Sequence, residues 1–388
     1  MSSWTQTLDT HIDTLPGGSP AASWRRQALD AYEAQGMPRA KAPAWKHTPL
    51  KALKADFALE APAVPGDIPR IEGACHLVFV GGLLDAAASD DLPKGVSVLP
   101  MHTQLDADGV SDLLSQAPAS LNAPFHHLNT AFVSGGSVIQ VRPGAVVTTP
   151  VVLVHIGGTE GHAHHVQHHV HVARNAQLTL VELWSTGAGL ANTLTTADIG
   201  DNARLDHIVV QDNGPEALFL ADQRHVLRRD ARLRHTSVSM GSAWARNGLH
   251  ARLAGTGAEC TYDGVYLGRD TQHHDHTLRV ERAAALVLAP VPMEAVLRFE
   301  VSAFEALFLA RREARQAVLA LHVVRARRRQ RRPGRRQPRE RAFERLAQLA
   351  VALRRAAQLL RGDRKRDELA AERQIARHRQ RAPGGHRR

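Results

Sequence analysis

One feature constrains the fold of this chain more than any other: an internal repeat. The segments RPGAVV, ARNAQL, GDNARL, RRDARL and GTGAEC each place Gly, Asn or Asp before an Ala, with an apolar residue or Cys two positions later. The alanines are Ala145, Ala176, Ala203, Ala231 and Ala258, separated by 31, 27, 28 and 27 residues. Gly, Asn and Asp are the residues that accept a left-handed backbone most cheaply, so each marks a tight corner. An Ala beside it suits a crowded inside bend. Alternating segments follow the corners, such as Gln177 to Val181 and Arg204 to Val210, in which one side chain in two would point to the core. That is the period of a strand, and coils of this length bury their apolar side by stacking. A helical repeat would show apolar residues at i, i+3, i+4 and i+7, which these units lack. The spacing therefore predicts a mainly β chain with a parallel β-solenoid core.

The flanks differ in kind. Residues 1–60 read as a helical region: Ser19 caps a helix with Pro20 at its first position, Trp24, Ala28 and Tyr32 recur at helical spacing, and Gly36 closes it. The three prolines of GMPRAKAPAWKHTPLKAL are too many for a helix interior and place Trp45 and Lys46 on a loop or a short final helix, either as a packing anchor or as a partner contact. Short apolar stretches between Ala61 and Asp108 supply the first strands, and the solenoid core is expected over 61–281. Beyond it the composition changes abruptly. Thr occurs 20 times in residues 1–281 and never in 282–388, and Asn and Tyr are also absent there. The chain's net charge of +11 divides into −8 for residues 1–310 and +19 for 311–388. Segment 282–388 is Arg/Ala-rich and helical or disordered by composition. It fits a high-GC gene read out of frame from about codon 281, a sequencing error of the same effect, or a basic tail of this lineage.

These properties exclude several classes. The N-terminus has neither the basic nor the apolar segment of a secretory signal, and no apolar run approaches the ~18–20 residues of a membrane span. A cytoplasmic protein without a membrane partner is expected. Cys75 and Cys260 are too few for a disulfide framework and read as buried thiols. No P-loop, Cys-x-x-Cys pair or Gly-x-Ser-x-Gly elbow occurs, so nucleotide hydrolysis would belong to a partner. A polysaccharide-acting β-helix enzyme would stack carboxylates at one coil offset, yet Asp206, Asp230 and Asp263 lie at +3, −1 and +5 from their alanines. The Arg-rich tail would hold phosphate backbones only nonspecifically, because Phe343 is its single aromatic residue after Phe308. Nucleic acid is therefore not the expected partner.

The residues Gly36, Pro38, Lys41, Trp45-Lys46-His47-Thr48, Leu128-Asn129-Thr130-Ala131-Phe132, Arg246, Leu253-Ala254-Gly255, Gln272 and Asp275 carry a resemblance. In this order, ahead of and within a β-solenoid, the chain resembles the SufB/SufD family of iron–sulfur cluster assembly proteins over residues 20–281, its SufD branch most. The resemblance implies a right-handed parallel β-helix between helical domains, in an assembly subunit that is not itself an enzyme. It implies a SufB-like scaffold and a SufC-like ABC ATPase as partners, the latter docked by a C-terminal helical domain. The family's Cys-x-His-Gly-Ala-Thr segment is missing, and His322, His378 and His386 stand in unrelated Arg-rich contexts. Heterocomplex and homodimer both remain open, since an open solenoid end favours pairing.

Two histidine clusters are candidates for metal binding. In the first, His165, His169 and His171 share one strand face and His162, His164 and His168 the other. A polar solenoid face or lip is the simpler reading of that cluster. In the second, His274 and His276 fall together by period two, with Cys260 or Asp263 of the adjacent coil as a third ligand. Hydrogen bonding between coils is the competing reading there. No cofactor is expected to be held stably by this chain alone. A transient iron–sulfur cluster at a subunit junction is what the resemblance implies, and His274 and His276 would be half of such a site.

Overall fold

The computed structural model describes residues 3–39, 42, 45–46, 48–54, 57–59, 67–105, 123–268, 270–282 and 296–297. Its corners stand where the repeat puts them. The residue ahead of each repeat alanine has a positive φ: Gly144 70°, Asn175 59°, Asn202 56°, Asp230 55° and Gly257 71°. Successive corners are joined by backbone hydrogen bonds, from Asn175 N–H to the Asp201 carbonyl at 2.9 Å, from Asn202 to Arg229 at 2.8 Å and from Asp230 to Thr256 at 2.8 Å. Ala176, Ala203 and Ala231 are buried inside the bend, where a larger side chain would strike the next coil.

The strands are β1 (Ala58–Leu59), β2 (Cys75–Val80), β3 (Leu83–Asp85), β4 (Val96–Pro100), β5 (Gly135–Val141), β6 (Val151–Gly157), β7 (His162–Val172) and β8 (Gln177–Thr186). They continue as β9 (Leu190–Ile199), β10 (Arg204–Asn213), β11 (Leu218–Leu227), β12 (Arg232–Gly241), β13 (Trp244–Leu253), β14 (Glu259–Leu267), β15 (His273–Arg282) and β16 (Val296–Leu297). Each coil gives one strand to each of two sheets, ordered β15-β13-β11-β9-β7-β5-β4, with β1 beside β7, and β16-β14-β12-β10-β8-β6-β2-β3. The stacked strands are parallel; among the described residues only the β2–β3 and β4–β5 pairs, at the N-terminal side, are antiparallel. Consecutive coils stack in register, so Leu178, Leu205, Leu233 and Cys260 form one apolar row inside the solenoid. The core is thus a parallel β-solenoid, as the repeat predicts. One strand goes further than expected: β16 extends the ladder by pairing with Thr261 and Tyr262 of β14. The remaining expectations for 282–388 lie outside the described residues, as do Lys41 and His47.

Among the described residues three α-helices, α1 (Ser3–His11), α2 (Gly18–Gln35) and α3 (Ala123–Phe132), pack Trp4, Leu8, Leu29, Tyr32, Phe125 and Phe132 into a second apolar cluster. Helix α2 begins before the expected Ser19 cap. Gly17, at φ 95°, is its N-cap, and Ser19 and Pro20 lie within its first turn, where a proline costs no hydrogen bond. A Cβ on Gly17 would come within 2.7 Å of the Ala21 Cβ, so the close entry itself requires glycine. The buried Arg25 of α2 donates to the carbonyls of Ala131 and Val133 at 2.8 and 2.7 Å, tying α2 to the end of α3. Among the described residues no helix is long and apolar enough to cross a membrane.

Candidate functional site

Strand β7 carries the densest run of histidines, and its two faces behave as period two requires. The even-numbered His164 and His168 point into the solenoid, beside Trp184 and His155, while the odd-numbered His165 meets Phe132 and Trp4 of the helices. The burial differs from a polar lip. His164, His165, His168 and His169 are all buried, and only His162 and His171, near the strand ends, reach solvent. Both faces of β7 are covered, one by the coil interior and the other by α3. There Asn129 bonds the Val166 and Asn192 carbonyls and accepts from Gln167 at 2.8 Å.

Inside the coil the imidazoles continue as a column. His155 stacks on Trp184 with ring centroids 3.7 Å apart, and its Nε2 lies 3.1 Å from Nε2 of His168, whose Nδ1 meets the Ser137 hydroxyl at 2.8 Å. One coil on is Glu182, with no solvent exposure. Its carboxylate accepts from Thr195 Oγ1 at 2.6 Å, Trp184 Nε1 at 3.1 Å and His207 Nε2 at 2.9 Å. The other nitrogen of His207, Nδ1, lies 3.0 Å from Nε2 of His225, and His235 packs edge-on against His207 with centroids 4.9 Å apart. Burial alone would raise the Glu182 carboxyl, but the His207 hydrogen bond and the surrounding imidazoles hold it well below the usual carboxylate range. Burial pulls His164 and His168 down to about 4 and His225 to about 3, and pushes His155 and His235 well below the ordinary histidine value. These rings are neutral at neutral pH and keep a lone pair on one nitrogen.

His274 and His276 share the inward face of β15, as expected. His276 Nδ1 meets Tyr262 Oη at 3.1 Å and its Nε2 meets Ser239 Oγ at 2.9 Å. His274 stacks on Tyr266 with both ring nitrogens buried and without a hydrogen-bond partner. The two residues named as a third ligand are otherwise engaged. Asp263 is paired with Arg234 at 3.0 Å, and Cys260 closes the apolar row with its thiol pushed up to about 12 by burial. The three-imidazole group that the described residues do gather is His207, His225 and His235, one ring nitrogen of each lying within 4.8 Å of the others. A signal for it exists in the repeat: His207 and His235 both stand four residues after their alanines, as Leu180 and Tyr262 do in the neighbouring coils. His225 arrives from the opposite sheet, where no alanine marks the offset.

The Trp45 loop is a packing anchor. Trp45 is buried against Phe125, and the guanidinium of the fully buried Arg246 lies 4.0 Å over its ring. Arg246 also pairs with Asp275, and Thr48 Oγ1 bonds the same carboxylate while accepting from Arg246 Nη1 at 2.9 Å. Four residues that carry the family resemblance, spread over 230 positions, thus meet in one contact between the N-terminal region and the neighbouring strands β13 and β15. Both cysteines are free and buried, and burial together with Asp90 and Asp91 raises the Cys75 thiol to about 11.

The family can now be stated. The chain matches the model of the SufBD protein N-terminal region over residues 17–153 and that of the SUF system FeS cluster assembly SufBD core domain over 155–286, together more than two thirds of its length. It belongs to the SufB/SufD family. Within it the chain is most like SufD: it is 26% identical over 254 residues to the iron-sulfur cluster assembly protein SufD of Escherichia coli (strain K12), covering 61% of this chain and 57% of that one. It is 24% identical over 250 residues to an iron-sulfur cluster assembly SufBD family protein of Synechocystis, covering 58% and 55%. A SufBD family protein of Mycobacterium leprae is 24% identical over 233 residues, covering 60% and 59%. The match spans less than two thirds of the length of each of these relatives.

Proposed function

We propose that this chain is a SufD-like subunit of an iron–sulfur cluster assembly complex, working with a SufB-like scaffold and a SufC-like ATPase, and is not itself an enzyme. The observation that supports it best is the Trp45–Thr48–Arg246–Asp275 contact, which joins the N-terminal region to the core through residues that carry the family resemblance. The cluster is cargo in this reading, shared at a junction with the partner. His274 and His276, on the last coil, are the donors this chain offers to it. Domains follow the same reading: a helical region 1–60, a solenoid 61–281 and a basic segment 282–388.

Co-expression of the full chain with SufB-like and SufC-like proteins tests the proposal. A stable complex, faster ATP hydrolysis than the ATPase alone and more cluster reconstituted than without this chain are the expected outcomes. Failure of both the full chain and a chain ending at residue 282 to enter the complex would overturn it. Binding of the full chain to DNA in low salt, lost on truncation at 282 while no complex forms, would establish the tail as the functional part instead.

A further inference from the structure

We propose that His207, His225 and His235 form a binding site for one divalent first-row transition metal of the zinc type inside the solenoid, separate from the His274 and His276 pair. This inference does not depend on the assembly role. The three rings come from two facing sheets, His207 and His235 as register partners on β10 and β12 and His225 on β11. All three are buried. Their nearest nitrogens are already gathered within 4.8 Å, with His207 Nδ1 and His225 Nε2 only 3.0 Å apart. An ion with metal–nitrogen bonds of about 2.0–2.1 Å spaces its tetrahedral ligands about 3.3 Å apart, close to the 3.0 Å between His207 Nδ1 and His225 Nε2.

Three further observations point to a cation rather than to a self-sufficient hydrogen-bond network. First, Glu182 Oε1 accepts from His207 Nε2, which fixes the tautomer that turns the Nδ1 lone pair toward His225. This is the carboxylate–histidine arrangement that orients a ligating ring. Second, His235 Nδ1 is buried without a hydrogen-bond partner, an unfavourable state for a ring packed against His207. Third, the Glu182 carboxylate is enclosed with only Thr195, Trp184 and His207 as hydrogen-bond donors, so a nearby dication would compensate its charge. An all-imidazole donor set selects against Mg²⁺ and Ca²⁺, which take oxygen ligands.

The test uses the full chain, stripped with a chelator and equilibrated overnight with Zn²⁺ or Co²⁺ alone. One equivalent of metal resistant to gel filtration is expected, with the visible absorption of four-coordinate Co²⁺ and a raised melting temperature. X-ray absorption at the zinc edge should show a shell of imidazole nitrogens. His235→Phe and His225→Phe should each weaken binding at least tenfold, whereas His171→Ala, at an exposed position of β7, should not change it. Should the phenylalanine variants fail to fold, the absorption spectra of the parent chain decide. A first shell without several imidazoles, or no retained metal, overturns the site. Retention in His235→Phe with loss in the His274→Ala, His276→Ala double variant also overturns it.

Discussion

Asn202 shows how one residue type carries the solenoid's geometry. It sits at φ 56° and passes its side-chain amide to Asn175 Oδ1 at 2.9 Å, repeating the corner of the coil before. A β-carbon without that side chain keeps the steric penalty and loses the bond. Asn202→Ala should therefore cost about 1–2 kcal/mol, and Asn202→Gly less than half of that, in urea unfolding of the two variants. Asp275 is the opposite kind of residue, needed for charge rather than shape. Asp275→Ala leaves the guanidinium of Arg246 buried without its carboxylate and should cost about 3–5 kcal/mol, measured the same way. The corners were legible in the sequence because only a few residue types tolerate them. His274 and His276 were legible as a pair because period two fixes a face. The burial of the β7 histidines was not, because a polar strand face is ordinarily the solvated one and nothing local tells that α3 lies over it. Nor was the meeting of His207 with His225, which depends on which rows of two sheets face each other.

At the scale of the element, β7 is a strand whose interior cannot be charged. Burial holds His164 and His169 at about 4 and His165 at about 3, with His164 and Arg25 adding to the effect on His165. The groups facing them offer hydrogen bonds and no counter-charge: Trp184 stacks with His164, Asn192 meets His165, and Thr196 and Gln167 meet His169. The unfolded chain takes up protons near pH 6.5 that the folded chain refuses until about pH 4. Stability should thus be level between about pH 7 and 8 and fall as pH drops from about 6.5 to 4, each such histidine adding about 1.4 kcal/mol per pH unit to the slope. Glu182, whose folded value is depressed, acts in the same direction at lower pH. Urea midpoints of the metal-free protein between pH 8 and 5 check this; a midpoint independent of pH would show that these rings are not buried neutral. The apolar row is a second element-scale device. Leu205 has Leu178 beneath and Leu233 above, so Leu205→Ala should cost about 3 kcal/mol, and the Leu178→Ala, Leu205→Ala pair should depart from additivity.

For the whole molecule, the net charge of +11 describes no part of it. Residues 1–310, which hold the repeats, carry −8 and residues 311–388 carry +19, and the family resemblance and the matched models end at residues 281 and 286, ahead of that basic segment. The matched family models therefore rest on the repeat-built body, whose repeating coils contact chiefly their neighbours. Such a stack stores its stability in increments, one per interface between coils. The near-constant repeat of 27 or 28 residues gives those increments a length. Drawn out from its C-terminal end under force, the solenoid should peel rather than rupture, yielding its contour in steps of roughly 90–100 Å, the extended length of one coil.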